Sequence, residues 1–287
     1  MKKIIPWWLK IIVKIILSRI PVSYRTWEKL GLFQHGYMED GTYALQVFEQ
    51  HFKQSGLVRK GDFTGLELGP GDSVISALIA KEHGATKTYL VDTGFYATND
   101  TSSYKKILLS LNEKGLEIED FPESCSFTEM LNHYNGRYLV NGLESLKSIP
   151  GESIDFVWSQ AVLEHVRLHE FDECMQEFYR ILKQDGVCSH RIDLKDHLAS
   201  GLNNLRFSNQ VWESDFMAKS GFYTNRIRFS DMKIRFGKAG FLVEVLNTDR
   251  WENSPIAKKK LSSVFSELSD DELLISGFNV LLRKSDL

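Results

Sequence analysis

The stretch 63-FTGLELGPGDSVISALIAKEHGATKTYLVD-92 decides the fold. FTGLEL is a short apolar run of strand length. GPGDS is a turn. VISALIAKEHG reads as a helix that Gly84 closes, and KTYLVD is a second apolar run. A strand, a glycine turn, a helix and a second strand make one unit of a parallel sheet. Gly69 and Gly71 let the backbone turn sharply and approach a ligand. Such turns lie at the carboxyl edge of the sheet, where doubly wound folds bind nucleotides. Asp92 stands 21 residues past Gly71 (92 − 71), near the offset of an acid that holds ribose hydroxyls.

The pattern continues downstream. Residues 97–115 read as a helix with a polar start and a glycine stop. RYLV (137–140), SIDFVWS (153–159), VCSHRIDL (187–194), FLVEVLN (241–247) and FNVLLRK (278–284) read as strands. Between the last four, FDECMQEFYRILKQDG (171–186) and FSDMKIRFGKAG (229–240) read as helices. The predicted fold class is α/β, a doubly wound seven-stranded sheet with helices on both faces. The last strand follows a strand-rich segment and is placed to insert antiparallel. Residues 196–228 interrupt the alternation and are expected to be a lid or binding insertion after the fifth strand.

The glycine turn does not fit a dinucleotide. Its third glycine position is Val74, and Glu67 would repel a pyrophosphate. Glu67 suits a positively charged ligand, such as the ammonium or sulfonium of S-adenosylmethionine. ELGPG (67–71), the acid of LVD, SIDFVWSQAVLEHV (153–166) and EFYRILKQDGV (177–187) together resemble the successive motifs of class I S-adenosylmethionine-dependent methyltransferases, of the type 11-like branch. The likeness covers roughly residues 63 to 195 and implies a Rossmann-like fold. It implies that Glu67, Gly69 and Gly71 contact the methionine part and that Asp92, with Thr93 beside it, binds the ribose. The adenine is left to Asn141, Glu144 or a main-chain group, because the usual acid after the third strand is absent. Ser159 and Gln160 would border the reacting end. Less specifically, PVSYRTWEKLGLFQHGYM, SHRIDLKDH and FYTNRIR resemble bacterial methyltransferases associated with cell-surface glycan synthesis.

A hydroxyl acceptor must lose a proton during methyl transfer. Bases are expected near the ends of the fourth and fifth strands, where Glu164, His165, His190, Asp193, Asp196 and His197 lie. His165, His190 and His197 form the shortlist, because imidazole titrates near neutrality. The insertion offers Asn203, Asn204, Arg206, Trp212, Tyr223, Asn225, Arg226 and Arg228. Amides, guanidinium groups and aromatic faces bind sugar hydroxyls, carboxylates and phosphates. The same residues could instead pin the insertion to the domain.

The N-terminus, MKKIIPWWLKIIVKIILSRI, has an apolar run broken by Lys10 and Lys14 and no small-residue cleavage site. From Pro6 to Arg19 is 14 residues, short of the roughly 20 that cross a bilayer. At about 100° per residue, Lys3, Lys10, Lys14 and Ser18 share one narrow face. Ile4, Trp7, Trp8, Ile11, Ile12, Ile15 and Ile16 occupy most of the rest. This suits a helix lying in an anionic membrane interface. Packing over the domain is the alternative. The expected organisation is an amphipathic helix (1–20), a helical extension (21–62) and the catalytic domain (63–287) with its insertion.

Bulk composition narrows the rest. Across 287 residues, the net charge of −3 offers no global field for nucleic acid. Cys125, Cys174 and Cys188 match no zinc pattern and form no disulfide framework, so no metal is expected and the compartment is reducing. The combined expectation is a cytoplasmic enzyme, peripheral on the inner face of the membrane, that methylates a sugar, glycan precursor or other small molecule. A methyltransferase of a soluble metabolite and a non-catalytic nucleotide-binding regulator are the competing readings.

Overall fold

The structure, a computed structural model, describes residues 6–17, 19, 38–59 and 61–285. The calls on Lys3, Ile4, Ser18 and residues 21–37 lie outside them. All seven expected strands are present: β1 (Phe63–Leu68), β2 (Ala85–Val91), β3 (Gly136–Leu139), β4 (Ile154–Gln160), β5 (Leu182–Asp193), β6 (Phe241–Arg250) and β7 (Ile275–Lys284). They form one sheet in the order β3-β2-β1-β4-β5-β7-β6. β7 runs antiparallel to both its neighbours, and the other pairings are parallel. The chain steps outward from β1 to β3 and then returns to β4 on the other side of β1. A crevice therefore opens at the carboxyl ends of β1 and β4.

Helices α1 (Trp7–Leu17) and α2 (Gly41–Ser55) precede the sheet, and α3 (Ile75–Glu82) and α4 (Thr101–Glu113) follow the first two strands. The short helices α5 (Phe127–His133) and α6 (Leu143–Lys147) flank β3, and α7 (Phe171–Ile181) follows β4. The insertion holds α8 (Asn209–Trp212) and α9 (Asp215–Ala218). α10 (Phe229–Lys238) and α11 (Asp270–Leu274) complete the set. Asp40 starts α2 by accepting from the Thr42 N–H at 2.9 Å, as an N-cap should. On one face of the sheet, Phe48 and Phe52 of α2 pack with Ile75 and Ile79 of α3 against Phe156 and Trp158. On the other, Phe171 and Phe178 of α7 pack with Met232 and Phe236 of α10 against Val157 and Phe278.

Three expectations change. The helix predicted to end at Gly186 stops at Ile181, and β5 begins at Leu182. The turn before β4 intercepts the helix end, because the Glu152 and Ser153 N–H groups donate to the Arg180 and Ile181 carbonyls. Gly186 is thus a strand residue. A Cβ there would sit 2.8 Å from the Leu182 side chain and 3.0 Å from the Ile154 carbonyl. Second, α5 was not anticipated, although Ser126 and Glu129 cap it reciprocally.

The third change concerns α1. Its apolar circumference divides in two. Ile11 is buried, and Trp7 and Ile15 are partly so, against Leu198, Trp212, Met217, Phe222 and Tyr223 of the insertion. Trp8 (52% exposed), Ile12, Val13 and Ile16 (58%) face outward. Lys14, expected on a free cationic stripe, instead points its ammonium at the His197 carbonyl (3.4 Å). Among the described residues no helix is long and apolar enough to cross a membrane.

Candidate active site

The crevice is built from strand exits. Gly69 follows β1 with φ +71°, and its N–H donates to the Val91 carbonyl at 2.8 Å. A Cβ on Gly69 would lie 2.5 Å from Val162 Cγ2. Its missing side chain therefore admits the loop after β4, not a ligand. Gly71 has φ +66°, and its N–H points at Asp92 Oδ2 (3.2 Å). Asp92 Oδ1 accepts from the Thr93 N–H at 2.7 Å. Each carboxylate oxygen keeps a lone pair for a ligand hydroxyl. Burial pushes the Asp92 pKa up to about 6, against the two main-chain donors that favour its charge.

The loop after β3 closes on the same point. The Gly142 N–H donates to the Asp92 carbonyl at 2.8 Å. Asn141 is exposed beside it, its N–H held by Ser145 Oγ at 2.9 Å. Glu144 is drawn to the surface, where Lys147 bridges it and Glu173, each at 2.8 Å. Of the two side chains expected at the adenine, Asn141 is thus the one beside the crevice. Thr93 is exposed at the rim.

Glu67 lies beneath the turn, 2% exposed, and accepts from the Ser76 hydroxyl of α3. Burial raises its pKa to about 7. A buried carboxyl acts on a ligand through its field and gains from a nearby cation. Two acidic groups held near neutrality, a free carboxylate edge for hydroxyls and a glycine turn fit the charge and diol of S-adenosylmethionine. Asp92, with the Gly71 N–H beside it, could hold the ribose of such a ligand, and buried Glu67 could favour its cationic end.

The β4 exit carries the remaining candidates. Ser159 and His190 are both fully buried, with Ser159 Oγ 2.7 Å from His190 Nδ1. The His190 ring stacks on Phe178 of α7, and burial lowers its pKa to about 3. His190 is therefore sealed in the core and, contrary to expectation, cannot reach an acceptor as a base. Gln160 reaches the half-exposed edge, 3.2 Å from His51 Nε2. Ala161 has φ +55°, a strained conformation for a residue with a side chain.

His165 and His197 come together. Their Nε2 atoms are 3.0 Å apart, and the rings lie 4.8 Å apart at 12°. His165 Nδ1 is 2.8 Å from the Tyr223 carbonyl. Burial, then Lys14, lowers the His197 pKa. Glu164, between the two strands, is 2% exposed and accepts from the Asp193 N–H at 3.2 Å; burial raises its pKa to about 8. Asp196 caps the next turn, accepting from the Leu198 and Ala199 N–H groups.

The polar residues of the insertion are mostly spent inside the protein. Asn204 donates to Thr224 Oγ1 and Trp212 to the Thr224 carbonyl. Asn225 donates to the Leu163 and Val166 carbonyls (2.8 and 3.0 Å), which fixes the turn carrying His165. Arg226 donates to the Phe207 carbonyl and Asn209, and Arg228 to the Leu194, Glu272 and Ile275 carbonyls. Tyr223 donates to Glu213 at 2.6 Å. Arg206 is half-exposed, over the Trp7 ring. These contacts hold the insertion against the β4 exit, so Asn204, Trp212, Tyr223, Asn225 and Arg226 are placed as its framework. What sequence reasoning passed over is His51. Its only signal was a histidine on the apolar side of QVFEQHF.

Two outcomes follow from this geometry. Asp92→Ala removes charge-assisted bonds worth about 1.5–3 kcal/mol each, so calorimetry should show S-adenosylmethionine affinity reduced roughly 10- to 100-fold. Unchanged affinity would remove Asp92 from the site. The second concerns pH. Glu67 and Glu164, near 7 and 8 when folded, stay protonated where the unfolded chain, near about 4.3, is ionised. The folded state binds more protons there, so stability falls as pH rises. Buried His51 and His190, near 4 and 3, act with opposite sign, but only below the unfolded value of about 6.5. Thermal melts of the ligand-free protein should therefore fall between about pH 6.5 and 8.5, and fall less in Glu164→Gln. A pH-independent melt, or an identical slope in the variant, contradicts this.

The family model described as a methyltransferase domain matches residues 101–189, from α4 into β5. No curated protein matches the chain in sequence. Among solved structures, the YcgJ protein of Bacillus subtilis is similar at 14% identity, covering 84% of this chain and 99% of that one, with a TM-score of 0.45. Haemonchus contortus phosphoethanolamine N-methyltransferase 2, in complex with S-adenosyl-L-methionine, is similar at 14% identity over 89% of this chain and 54% of that one, with a TM-score of 0.47. An S-adenosylmethionine-dependent methyltransferase from Mesorhizobium loti aligns at 15% identity over 80% and 94%, with a TM-score of 0.43. The chain thus carries a stretch that matches a methyltransferase domain, in a sheet whose strand order reverses between β1 and β4 and where Asp92 faces the glycine turn.

Proposed function

We propose that the enzyme O-methylates a sugar or polar glycan precursor at an anionic membrane surface, with the His165–His197 pair taking the acceptor's proton. The observation that carries this reading is the location of the pair. It joins the exits of β4 and β5: His165 is three residues from the Val162 that packs on Gly69, His197 follows β5, and α1 touches His197 through Lys14. The opposite side of α1 is exposed and apolar. One helix thus joins an interfacial surface to the candidate base.

The cofactor supplies an electrophilic methyl group, and the chain must hold the acceptor and accept a proton. His165 donates from Nδ1 to the Tyr223 carbonyl, so the neutral ring keeps a bare Nε2. His197 then donates from Nε2, which leaves its own Nδ1 lone pair for the acceptor hydroxyl. The lowered His197 pKa keeps that lone pair free at neutral pH. Arg206, half-exposed over the Trp7 ring with its Nε on Asn203 Oδ1, and the rim residues Thr93 and Asn141 offer polar groups to an acceptor.

The outer face of α1 supports the membrane part. Trp8, Ile12, Val13 and Ile16 are joined by Phe216 (57% exposed), whose ring Arg19 covers at 4.7 Å. Moving apolar surface out of water gains roughly 25 cal/mol per Å². Tryptophan suits the headgroup depth, and Lys10, Arg19 and Lys219 would meet anionic lipids.

Replacing His165 or His197 by Ala should lower methylation of cell-envelope glycan extract by about 10²–10⁴ with cofactor affinity unchanged. Wild-type turnover in both variants would remove the pair as base. For the membrane part, the full chain should sediment with phosphatidylglycerol vesicles, and salt should weaken the association. The exposed substitutions Trp8→Ser and Ile16→Ser should abolish sedimentation without lowering the melting temperature. Equal sedimentation of variants and wild type, or none from either, contradicts the membrane surface.

A further inference from the structure

His51 lies on the inner side of α2, fully buried, with both ring nitrogens facing polar groups. Nδ1 is 2.8 Å from Ser189 Oγ on β5, and Nε2 is 3.2 Å from Gln160 Oε1 at the end of β4. The Ser189 hydroxyl is in turn 3.1 Å from Gln54 Oε1. Three contacts thus connect half-exposed Gln54, one turn along α2, to Gln160 at the crevice.

Counting protons shows that one amide must turn. Three contacts need three donated protons. Ser189 has one, a neutral His51 has one, and two amide oxygens have none. An imidazolium would supply the third, but burial drives the His51 pKa down to about 4, so the ring is neutral. A glutamine side chain can exchange its oxygen and nitrogen by a half-turn with almost no change of shape.

If Gln160 is the one that turns, every contact is satisfied. Its NH2 donates to a bare His51 Nε2, the His51 Nδ1–H donates to Ser189, and Ser189 donates to Gln54. The Gln160 carbonyl then points away from His51, toward the crevice. If Gln54 turns instead, Gln160 presents NH2 there. The charge of the crevice selects the first arrangement. Glu67 and Asp92 make it a site for a cation and for hydroxyl donors, which an outward carbonyl oxygen would accept from and an outward NH2 would oppose.

We propose that Gln160 presents its carbonyl oxygen to the cationic methionine end of S-adenosylmethionine, and that His51, held as the Nδ1–H tautomer, is the positioning residue that turns it there. The proposal rests on the cofactor assignment. It makes α2, outside the matched methyltransferase segment, a working part of the cofactor site.

The test is nitrogen-15 NMR of histidine-labelled full chain at neutral pH, with and without S-adenosylmethionine, the His51 signals being assigned by their loss in His51→Phe. The expected result for the loaded protein is a proton on Nδ1 and a bare Nε2; a proton on Nε2 overturns the proposal. Calorimetry supplies the second measurement. Gln160→Ala should weaken S-adenosylmethionine binding by roughly 10-fold, and His51→Phe should weaken it as well. The double variant should be no worse than Gln160→Ala alone, since His51 acts through Gln160. Losses that multiply would show a merely structural histidine and overturn the proposal. Failure of the wild-type chain to bind the cofactor would overturn the assignment and the proposal together. Binding with an Nε2–H His51 would overturn the proposal alone.

Discussion

At each strand exit around the crevice, the first free amide donates to the end of the neighbouring strand or loop. The Gly69 N–H meets the Val91 carbonyl, the Gly142 N–H the Asp92 carbonyl, and the Ala161 N–H the Arg191 carbonyl, all at 2.8 Å. Buried backbone amides need partners, and these bonds satisfy them where regular strand pairing stops. They also set the loops at one level. Asp92, Asn141 and Gln160 consequently stand around a single opening, although they are far apart in sequence. All three bonds start from unusual backbone, since Gly69 and Gly142 have positive φ and Ala161 takes φ +55° with a side chain. That strain stays in place because the neighbouring strands over-determine the loops.

Around this opening the protein buries groups that water would ionise. Glu67, Asp92 and Glu164 are raised toward neutrality, and His51 and His190 are lowered far below it. The common cause is desolvation, but the consequences differ with position. His190 Nδ1 pairs with the Ser159 hydroxyl inside the sheet, its Nε2 is buried without a partner among the described residues, and the ring serves packing. Glu67 and Asp92 sit where a cationic, hydroxylated ligand would supply the missing counter-charge. Holding a buried acid near neutrality costs stability that a cationic ligand would return.

Legibility in the sequence followed the strength of each physical signal. β1 was readable to the residue because an apolar run meets a glycine turn with no competing pattern. The end of α7 was misplaced because Gly186 looks like a helix stop, and nothing local reveals that Leu182 already pairs with Ile154. The place of Asp92, after β2 and facing the glycine turn, was legible from spacing alone. The insertion misled for a different reason. Asn204, Trp212, Asn225 and Arg226 have the chemistry of sugar recognition, and the same donors are equally suited to tying an irregular segment to backbone carbonyls. Composition cannot separate the two uses; only the location of the acceptors does. His51 was passed over because a lone histidine on an apolar helix face is usually a satisfied core residue, and its partners come from strands more than a hundred positions away.

α1 shows how one sequence pattern can serve two surfaces. An amphipathic helix free in a membrane interface would turn one apolar arc toward lipid and leave the rest to water. This helix is apolar over more of its circumference than one contact can cover, and the structure assigns the surplus. Trp7, Ile11 and Ile15 complete the cluster around Trp212, which stabilises an insertion that has only short helices of its own. Trp8, Ile12, Val13 and Ile16 gain nothing from the fold and remain in solvent. Removing an inner residue would therefore loosen the insertion, and with it the Tyr223 carbonyl that orients His165. Removing an outer residue would leave that arrangement intact. The division gives the helix two separable faces, and it locates the join between them at Lys14, whose ammonium turns from the exposed side and ends on the main chain of His197.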